Sequence, residues 1–216
     1  MMIKAVFFDF DGVITDSKLI HDASWRYAVK TILNVTVDEL PEHKMSGKAP
    51  KLIAQTLCEL FDSEANHEGL LACKNGYLYN HLQNTEPIEG VATLFQLLKD
   101  KNIPFGIASN ASKHFVIQCL KNWNLDVAVA FGYEDYDQPK PNPEPYLKLA
   151  NFFNLKPEDF GSVLVFEDSE TGLQAALAAK MRTVHIQSHC MVSVAVLGET
   201  DYSYAGVLEA LELFTS

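Results

Sequence analysis

Short hydrophobic segments alternate with longer amphipathic ones through most of the 216-residue chain. Five apolar runs have the length and composition of strands buried inside a parallel sheet. They cover residues 3–8, 104–108, 127–131, 163–166 and 183–186, with helical patterns between them at residues 91–100, 113–122, 143–154 and 170–180. This alternation predicts an α/β fold with a doubly wound parallel sheet and right-handed crossovers.

Residues 18–83 interrupt this alternation with helix-like stretches at 19–33, 51–60 and 64–82 and no convincing strand. Pro87 and Gly90 mark the return to the α/β pattern. We therefore predict a core domain of residues 1–15 and 88–216, and an inserted all-helical cap domain of residues 16–87 above the carboxyl ends of the strands. Residues 202–204 predict an edge strand and residues 205–214 a closing helix, whereas residues 188–198 have no clear pattern and receive no function.

The formal charge of −11, from 28 acidic and 17 basic residues, argues against a nucleic-acid or membrane partner. The same charge repels an anionic small substrate unless local cations or a metal reverse the field in the pocket. The four cysteines are widely spaced and the chain does not open with a signal-peptide pattern, so we expect a soluble cytoplasmic protein. We also expect a monomer or a weak homodimer.

Two pairs of carboxylates follow predicted core strands. Asp9 and Asp11 come after the first strand, and Glu167 and Asp168 come after the run at residues 163–166. Ligands of open parallel sheets bind beyond the carboxyl ends of the strands, where these acids would repel one another without a hard cation such as Mg²⁺. A solvated turn or helix cap at Asp9 and Asp11, and helix caps at Asp168 and Ser169, are the simpler alternatives.

A third strand and a proline-rich loop supply groups that suit a phosphate. Ser109 and Asn110 follow the strand at residues 104–108, where hydroxyl, amide and helix N-terminal groups can donate to phosphate oxygens. Lys140 lies among three prolines within residues 139–143, which stiffen its loop. Each feature alone has an ordinary reading, as a loop or as a solvated lysine. A lysine fixed beside an acidic cluster would instead balance the carboxylates and hold a phosphoryl group.

The four segments together resemble the haloacid dehalogenase superfamily, in the branch of beta-phosphoglucomutases and sugar-phosphate phosphatases with an α-helical cap. The motifs occur in the expected order and are Phe8-Asp9-Phe10-Asp11-Gly12-Val13, Ala108-Ser109-Asn110, Lys140-Pro141-Asn142-Pro143 and Phe166-Glu167-Asp168-Ser169. The resemblance implies a Rossmann-like core and Mg²⁺ as the cofactor. Asp11 argues against the halide-releasing and phosphonate-cleaving members, which lack an aspartate two residues after the nucleophile.

The resemblance also implies roles for individual residues. Asp9 would be the nucleophile that becomes an aspartyl-phosphate, and Asp11 the proton donor and later the base. Ser109 and Lys140 would hold the phosphoryl group. The metal would be bound by Asp9, the backbone carbonyl of Asp11 and Asp168, with Glu167 as a ligand or close support.

Substrate-binding residues are expected in the cap. His21 and Trp25 match a histidine and a tryptophan of beta-phosphoglucomutases, although an ordinary half-buried histidine is an equal alternative. The other predicted substrate contacts are Gly47, Lys48 and Lys51, in the cap stretch Met45-Ser46-Gly47-Lys48-Ala49-Pro50-Lys51, and Asn110 of the core, in the turn after residue 108. Pro50 stands where mutases carry an arginine, which weakens the mutase interpretation.

We therefore predict an enzyme, a Mg²⁺-dependent phosphatase of a small phosphorylated metabolite such as a sugar phosphate. A phosphosugar mutase of the beta-phosphoglucomutase type is the second hypothesis. A phospho-acceptor switch or binding module without turnover is a third, although such domains are shorter and have no helical cap.

Overall fold

A six-stranded parallel sheet forms the centre of the molecule in the computed structural model, which describes residues 2–45, 48–61 and 66–215. The strand order is β3-β2-β1-β4-β5-β6, and every neighbouring pair is parallel. The strands are β1 (Ala5–Phe8), β2 (Phe105–Ala108), β3 (Ala130–Phe131), β4 (Val163–Glu167), β5 (Arg182–Ile186) and β6 (Tyr202–Tyr204). Because the order reverses direction between β1 and β4, this is the point at which a doubly wound sheet opens a crevice.

Helices cover both faces of the sheet, which explains why its strands are continuously apolar. Val6 and Phe8 face a cluster that includes α5 (Val91–Asp100) and α6 (Lys113–Asn122). Phe7 faces the opposite cluster, which includes α7 (Glu144–Phe152) and α8 (Glu170–Ala178). The predicted doubly wound α/β fold is confirmed.

Two predicted elements differ from the structure. The run at residues 127–131 forms a strand only at Ala130–Phe131, because β3 pairs with β2 alone and residues 127–129 are partly exposed. The predicted closing helix at residues 205–214 is a 3₁₀-helix at Glu209–Phe214 that packs Phe214 into the core. Short helices also occur at Tyr133–Asp135, Pro157–Ser162 and α9 (Val194–Leu197).

Among the described residues, the chain between β1 and α5 forms helices and no strand, with a non-helical stretch at residues 34–41 and turns and isolated bridges at its ends. It contains α1 (Lys18–Ala28), a π-helical continuation (Val29–Leu33), α2 (Glu42–Met45), α3 (Pro50–Leu60), α4 (His67–Asn80) and a 3₁₀-turn (Leu82–Asn84). Trp25, Ala28, Leu57 and Leu70 form part of a separate hydrophobic cluster. The start of the helix predicted from residue 64 lies outside the described residues, and the exact domain boundaries stay a prediction. Among the helices described, none combines the length and apolarity needed to cross a membrane.

Candidate active site

The strand register brings the predicted catalytic residues to one edge of the sheet. Phe8 of β1 pairs with Ile107 of β2 and with Phe166 of β4, so the three strands end at the same level. The next residues along these strands are Asp9, Ser109 after Ala108, and Glu167 followed by Asp168. The Asp9 amide also donates to the Phe166 carbonyl, 2.9 Å away, which extends the β1–β4 pairing to the nucleophile position. The convergence predicted from the sequence is therefore present.

Asp9, Glu167 and Asp168 form a buried carboxylate cluster whose oxygen atoms lie within 4.8 Å of one another. Burial raises the pKa of Asp9 well above its usual value, and Glu167, Asp168 and Asp11 raise it further against the opposing charge of Lys140. Burial, followed by the charge of Glu167, also raises the pKa of Asp168 to about 7. Burial, assisted by repulsion between the carboxylates, therefore disfavours the ionised forms of Asp9 and Asp168.

Lys140 lies in the middle of this cluster. Its Nζ atom is 2.6 Å from Asp9 Oδ1 and 2.6 Å from Glu167 Oε1, and the side chain is almost fully buried. Burial alone would lower the pKa of Lys140, but the two carboxylates raise it above its usual value. The ammonium is therefore charged and fixed against the side chain that is predicted to attack phosphorus.

Glu167 is held by the protein on both of its oxygens. Oε1 accepts from Lys140 and from the hydroxyl of Tyr146, 2.5 Å away. Oε2 accepts from the Asp168 amide at 3.2 Å and from the amide and hydroxyl of Ser169 at 3.4 and 3.1 Å. Because five donors hold it, this carboxylate can fix the position of Lys140 and of the residues before α8. Of the two predicted helix caps, Ser169 is the cap of α8, since its hydroxyl accepts from the Gly172 amide, whereas Asp168 does not cap the helix.

Gly12 makes the turn after β1 possible. Its φ of +79° is in the left-handed region, and a Cβ atom there would lie 1.9 Å from Asp168 Oδ2. The turn closes through the Gly12 amide, which donates to the Thr15 carbonyl at 2.8 Å. A glycine is required because any side chain would displace the Asp168 carboxylate.

Asp11 points towards the cap helices. Its carboxylate accepts from the Ser17 hydroxyl, and Oδ1 lies 3.2 Å from His21 Nε2 on α1. Burial acts to raise the pKa of Asp11, but the charge and hydrogen bond of His21, the Ser17 hydroxyl and the charge of Lys74 lower it. Lys74, on α4, is buried with its Nζ 5.6 Å from the centre of the Trp25 ring, and burial lowers its pKa to about 8 despite Asp11.

Ser109 and Asn110 occupy the turn between β2 and α6. Ser109 is fully buried, and its hydroxyl accepts from the Ala111 amide at 2.9 Å. The Ser109 backbone amide donates to the Phe131 carbonyl at 3.0 Å. Asn110 lines the cavity above the cluster. The turn predicted to receive phosphate oxygens is thus tightly fixed at the end of β2, and of its two residues Asn110 lines the cavity.

A cavity of about 1450 Å³ lies between this edge of the sheet and the cap helices. Its lining includes Asp9, Asp11, Lys140 and Asp168 from the core, and His21, Trp25, Lys48, Pro50 and Lys74 from the cap. Lys51 is exposed on the first turn of α3 and does not line this cavity, so the structure does not bring it to the predicted substrate site. Gly47 lies outside the described residues.

The sequence did not single out Lys74, Tyr146 or Ser17. Of these three, only Lys74 had no sequence pattern that could reveal it. The apolar residues of its helix do not form one clear face, so the pattern does not show which residues point inward. Tyr146 follows the lysine loop on the buried side of α7, and Ser17 belongs to the stretch after Asp11. Both could have been found by asking which donors satisfy the buried carboxylates.

The residues of the cluster fit a hard divalent cation. Asp9 and Asp168 present carboxylate oxygens, which Mg²⁺ prefers, and Gly12 leaves the space that Asp168 occupies. Four carboxylates converge here when Asp11 is counted, against the ammonium groups of Lys140 and Lys74. An additional cation would lower the cost of burying these charges.

Comparisons with known proteins agree with this geometry. The sequence model of the family described as haloacid dehalogenase-like hydrolase matches residues 6–186. YhcW of Bacillus subtilis is 31% identical over 189 residues, covering 85% of this chain and 83% of that protein. The phosphorylated carbohydrates phosphatase of Thermotoga maritima is 25% identical over 196 residues, covering 88% and 87%. The beta-phosphoglucomutase of B. subtilis is 27% identical over 194 residues, covering 85% and 83%.

Solved structures show the same fold. A predicted phosphoglycolate phosphatase from Haemophilus somnus 129pt superposes with a TM-score of 0.85 at 18% identity, covering 99% of this chain and 98% of that one. The superposition spans both the parallel sheet and the helices between β1 and β2.

Proposed function

Because the chain belongs to the haloacid dehalogenase-like hydrolase family, we propose that it is a Mg²⁺-dependent phosphatase of a small phosphorylated metabolite, with a sugar phosphate as the leading class of substrate. The family match and the relatives named as phosphatases confirm the predicted resemblance and the predicted hydrolase. We do not propose a binding module without turnover. The single observation that supports the chemistry is the 2.6 Å contact between Lys140 Nζ and Asp9 Oδ1 in a buried carboxylate cluster that forms the floor of the cavity.

Asp9 acts as the nucleophile in this proposal. Lys140 holds Oδ1, so the other carboxylate oxygen is directed to phosphorus and forms the aspartyl-phosphate as the ester P–O bond breaks. Lys140 and the turn at Ser109 and Asn110 hold the phosphoryl oxygens during the transfer. Phosphoryl transfer depends mainly on such in-line positioning and on charge neutralisation.

Asp11 handles the proton in both half-reactions. A phosphate group arriving beside Asp11 adds negative charge, which raises its pKa and favours the protonated form that donates to the leaving alkoxide. Once the alcohol leaves, the carboxylate accepts a proton from the water that attacks the aspartyl-phosphate. His21, Ser17 and Lys74 lower the pKa of Asp11 in the free protein, which favours this second role.

The metal site in this proposal consists of Asp9, Asp168 and the backbone carbonyl of Asp11. Glu167 supports the site without binding the ion, because protein donors already contact both of its oxygens. When bound, Mg²⁺ would neutralise charge on the phosphoryl oxygens and reduce the repulsion between the substrate and the carboxylates.

The nature of the substrate is supported by the relatives and by the cavity. The similar T. maritima protein is named as a phosphatase of phosphorylated carbohydrates, and YhcW is also named as a phosphatase. The cap side of the cavity contributes Lys48, Lys74 and Trp25, which can contact hydroxyl groups and the face of a sugar ring. His21 contacts Asp11, so its role in this proposal is to orient the proton carrier.

A phosphosugar mutase is the second candidate, supported by the similarity to the B. subtilis beta-phosphoglucomutase. In that case the aspartyl-phosphate would be transferred to another hydroxyl of the substrate and not to water. Pro50 lines the cavity at the position where the mutases carry an arginine. Lys48, two residues earlier, also lines the cavity and is the nearest described cation along the chain that does so. Isomerised product that requires a bisphosphate primer would favour the mutase over the phosphatase.

The test is phosphate release from a panel of sugar phosphates and other phosphate monoesters, with and without Mg²⁺. Asp9→Asn should abolish release while leaving the circular dichroism spectrum unchanged, because the amide keeps the shape and loses the nucleophilic charge. Asp100→Asn is the matched control, since Asp100 lies at the exposed end of α5, outside the cavity lining. Turnover of the Asp9 variant at the wild-type rate would exclude the proposed mechanism.

A further inference from the structure

The loop after β5, residues 187–193, contacts two carboxylates near the start of α8. The Ser188 hydroxyl donates to Asp168 Oδ2 at 2.7 Å. At the other end of the loop, the Ser193 amide and hydroxyl donate to the two oxygens of Glu170, at 2.8 and 3.2 Å. Asp168 and Glu170 flank the start of α8, so this loop brackets the segment that presents Asp168.

The Ser188 hydroxyl makes a second contact through its oxygen. The Cys190 amide donates to Ser188 Oγ at 3.0 Å, so the hydroxyl oxygen is an acceptor in that bond. Its single proton is therefore free to point to the carboxylate, which is the acceptor that the geometry provides. A hydroxyl that donates to a carboxylate makes a charge-assisted hydrogen bond, which is stronger than a neutral one.

The Asp168 carboxylate is confined on the same oxygen from a second direction. A Cβ atom on Gly12 would lie 1.9 Å from Oδ2, so this oxygen is packed directly against the Gly12 backbone. Ser188, the Gly12 backbone and a hydrogen bond from the Cys190 side chain thus hold the Asp168 carboxylate. A carboxylate oxygen of Asp168 lies within 4.8 Å of carboxylate oxygens of Asp9 and Glu167.

We propose that Ser188 is a positioning residue that orients Asp168 for the divalent cation, an inference that rests on the Mg²⁺ site of the proposed function. Partners that hydrogen-bond to a metal-binding side chain typically change metal affinity or activity by about 10–100-fold when they are removed. Ser188→Ala is therefore expected to weaken Mg²⁺ binding by about 10–100-fold. Ser188→Thr keeps the hydroxyl and, because Ser188 is exposed, has room for the added methyl group; it should restore affinity.

The test is a titration of each purified variant with Mg²⁺ alone, following the midpoint of thermal unfolding without substrate. A ligand that binds the folded state raises this midpoint according to its concentration relative to Kd, which gives an apparent Kd for each protein. Ser193→Ala is the matched control, because it removes a serine of the same loop that bonds to Glu170 and not to the cluster. It should bind Mg²⁺ as the wild type does.

The possible outcomes separate the inference from the proposed function. If the wild type shows no Mg²⁺-dependent change, the metal site of the proposed function fails and the inference fails with it. If the wild type binds Mg²⁺ and Ser188→Ala binds it equally well, the inference alone is wrong. A lower unfolding midpoint for Ser188→Ala with an unchanged apparent Kd would assign Ser188 to loop stability and would also overturn it.

Discussion

Replacing Lys140 by methionine removes one buried positive charge and keeps most of the side-chain volume. Lys140 Nζ contacts Asp9 and Glu167 at 2.6 Å each, and both carboxylates are buried. The variant therefore leaves two carboxylates that were paired with the same ammonium facing each other across the cluster. Its effect should appear in both stability and turnover.

The magnitude follows from the burial of the pair. Breaking a buried ion pair by removing one partner typically costs about 3–5 kcal/mol, because the remaining charge is left uncompensated. For a protein of this size, the midpoint of thermal unfolding would fall by about 6–20 °C. The rate of phosphate release would fall by at least about 10²–10³-fold, as for the loss of a preorganised electrostatic stabiliser.

The assay compares thermal unfolding and phosphate release for Lys140→Met and for Lys113→Met. Lys113 is the matched control because it pairs with Asp135 at 3.0 Å with 46% of its side chain exposed. An exposed pair contributes about 0–1 kcal/mol, so this control should shift the midpoint by at most about 4 °C. Adding Mg²⁺ should reduce the destabilisation of Lys140→Met, since a second cation then neutralises Asp9. Equal shifts for the two variants would refute the assignment of Lys140 as the buried counter-charge of the cluster.

Two further predictions concern the cap side of the cavity. Lys74→Met should raise the midpoint of thermal unfolding, because burial of this lysine lowers its pKa to about 8, a penalty of up to about 3 kcal/mol at neutral pH. The same variant should lower kcat and move the acidic limb of the pH–rate profile to higher pH, since Lys74 lowers the pKa of Asp11; a less stable protein with unchanged kcat would contradict this. Lys48→Ala should raise KM by about 10-fold or more with little change in kcat, whereas Lys51→Ala should change neither, because Lys51 is exposed outside the cavity. Equal effects of the two substitutions on KM would contradict the assignment of the cavity wall.

The buried strands were predictable from sequence because both faces of a doubly wound sheet are covered. Phe7 and Phe8 belong to different hydrophobic clusters on opposite faces, so the strand reads as an unbroken apolar run. The predicted length of the edge strand β3 was too great, since residues 127–129 are partly exposed and only Ala130 and Phe131 pair with β2. Local hydrophobicity does not reveal where an edge strand stops pairing.

The core half of the site was also predictable, because the ends of parallel strands meet at one edge whatever the sequence separation. Asp9 and Asp168 are distant in sequence but follow strands that pair directly. Lys74 could not be predicted in this way. Its proximity to Asp11 depends on how α4 packs against α1, and that packing is set by contacts around Trp25 and Leu70 that no local pattern encodes.

The acidic surface and the anionic substrate are compatible only because the charge of the cavity differs from that of the whole chain. The formal charge of −11 opposes the approach of a phosphate ester at long range, where salt screens it within about 10 Å. Inside the cavity the substrate meets Lys140, Lys74 and Lys48 at short range. Near the nucleophile the phosphate also meets the buried carboxylates Asp9, Glu167 and Asp168, which repel it. In the proposed function, a divalent cation bound to these carboxylates would reduce this repulsion, and metal binding would then be coupled to substrate binding.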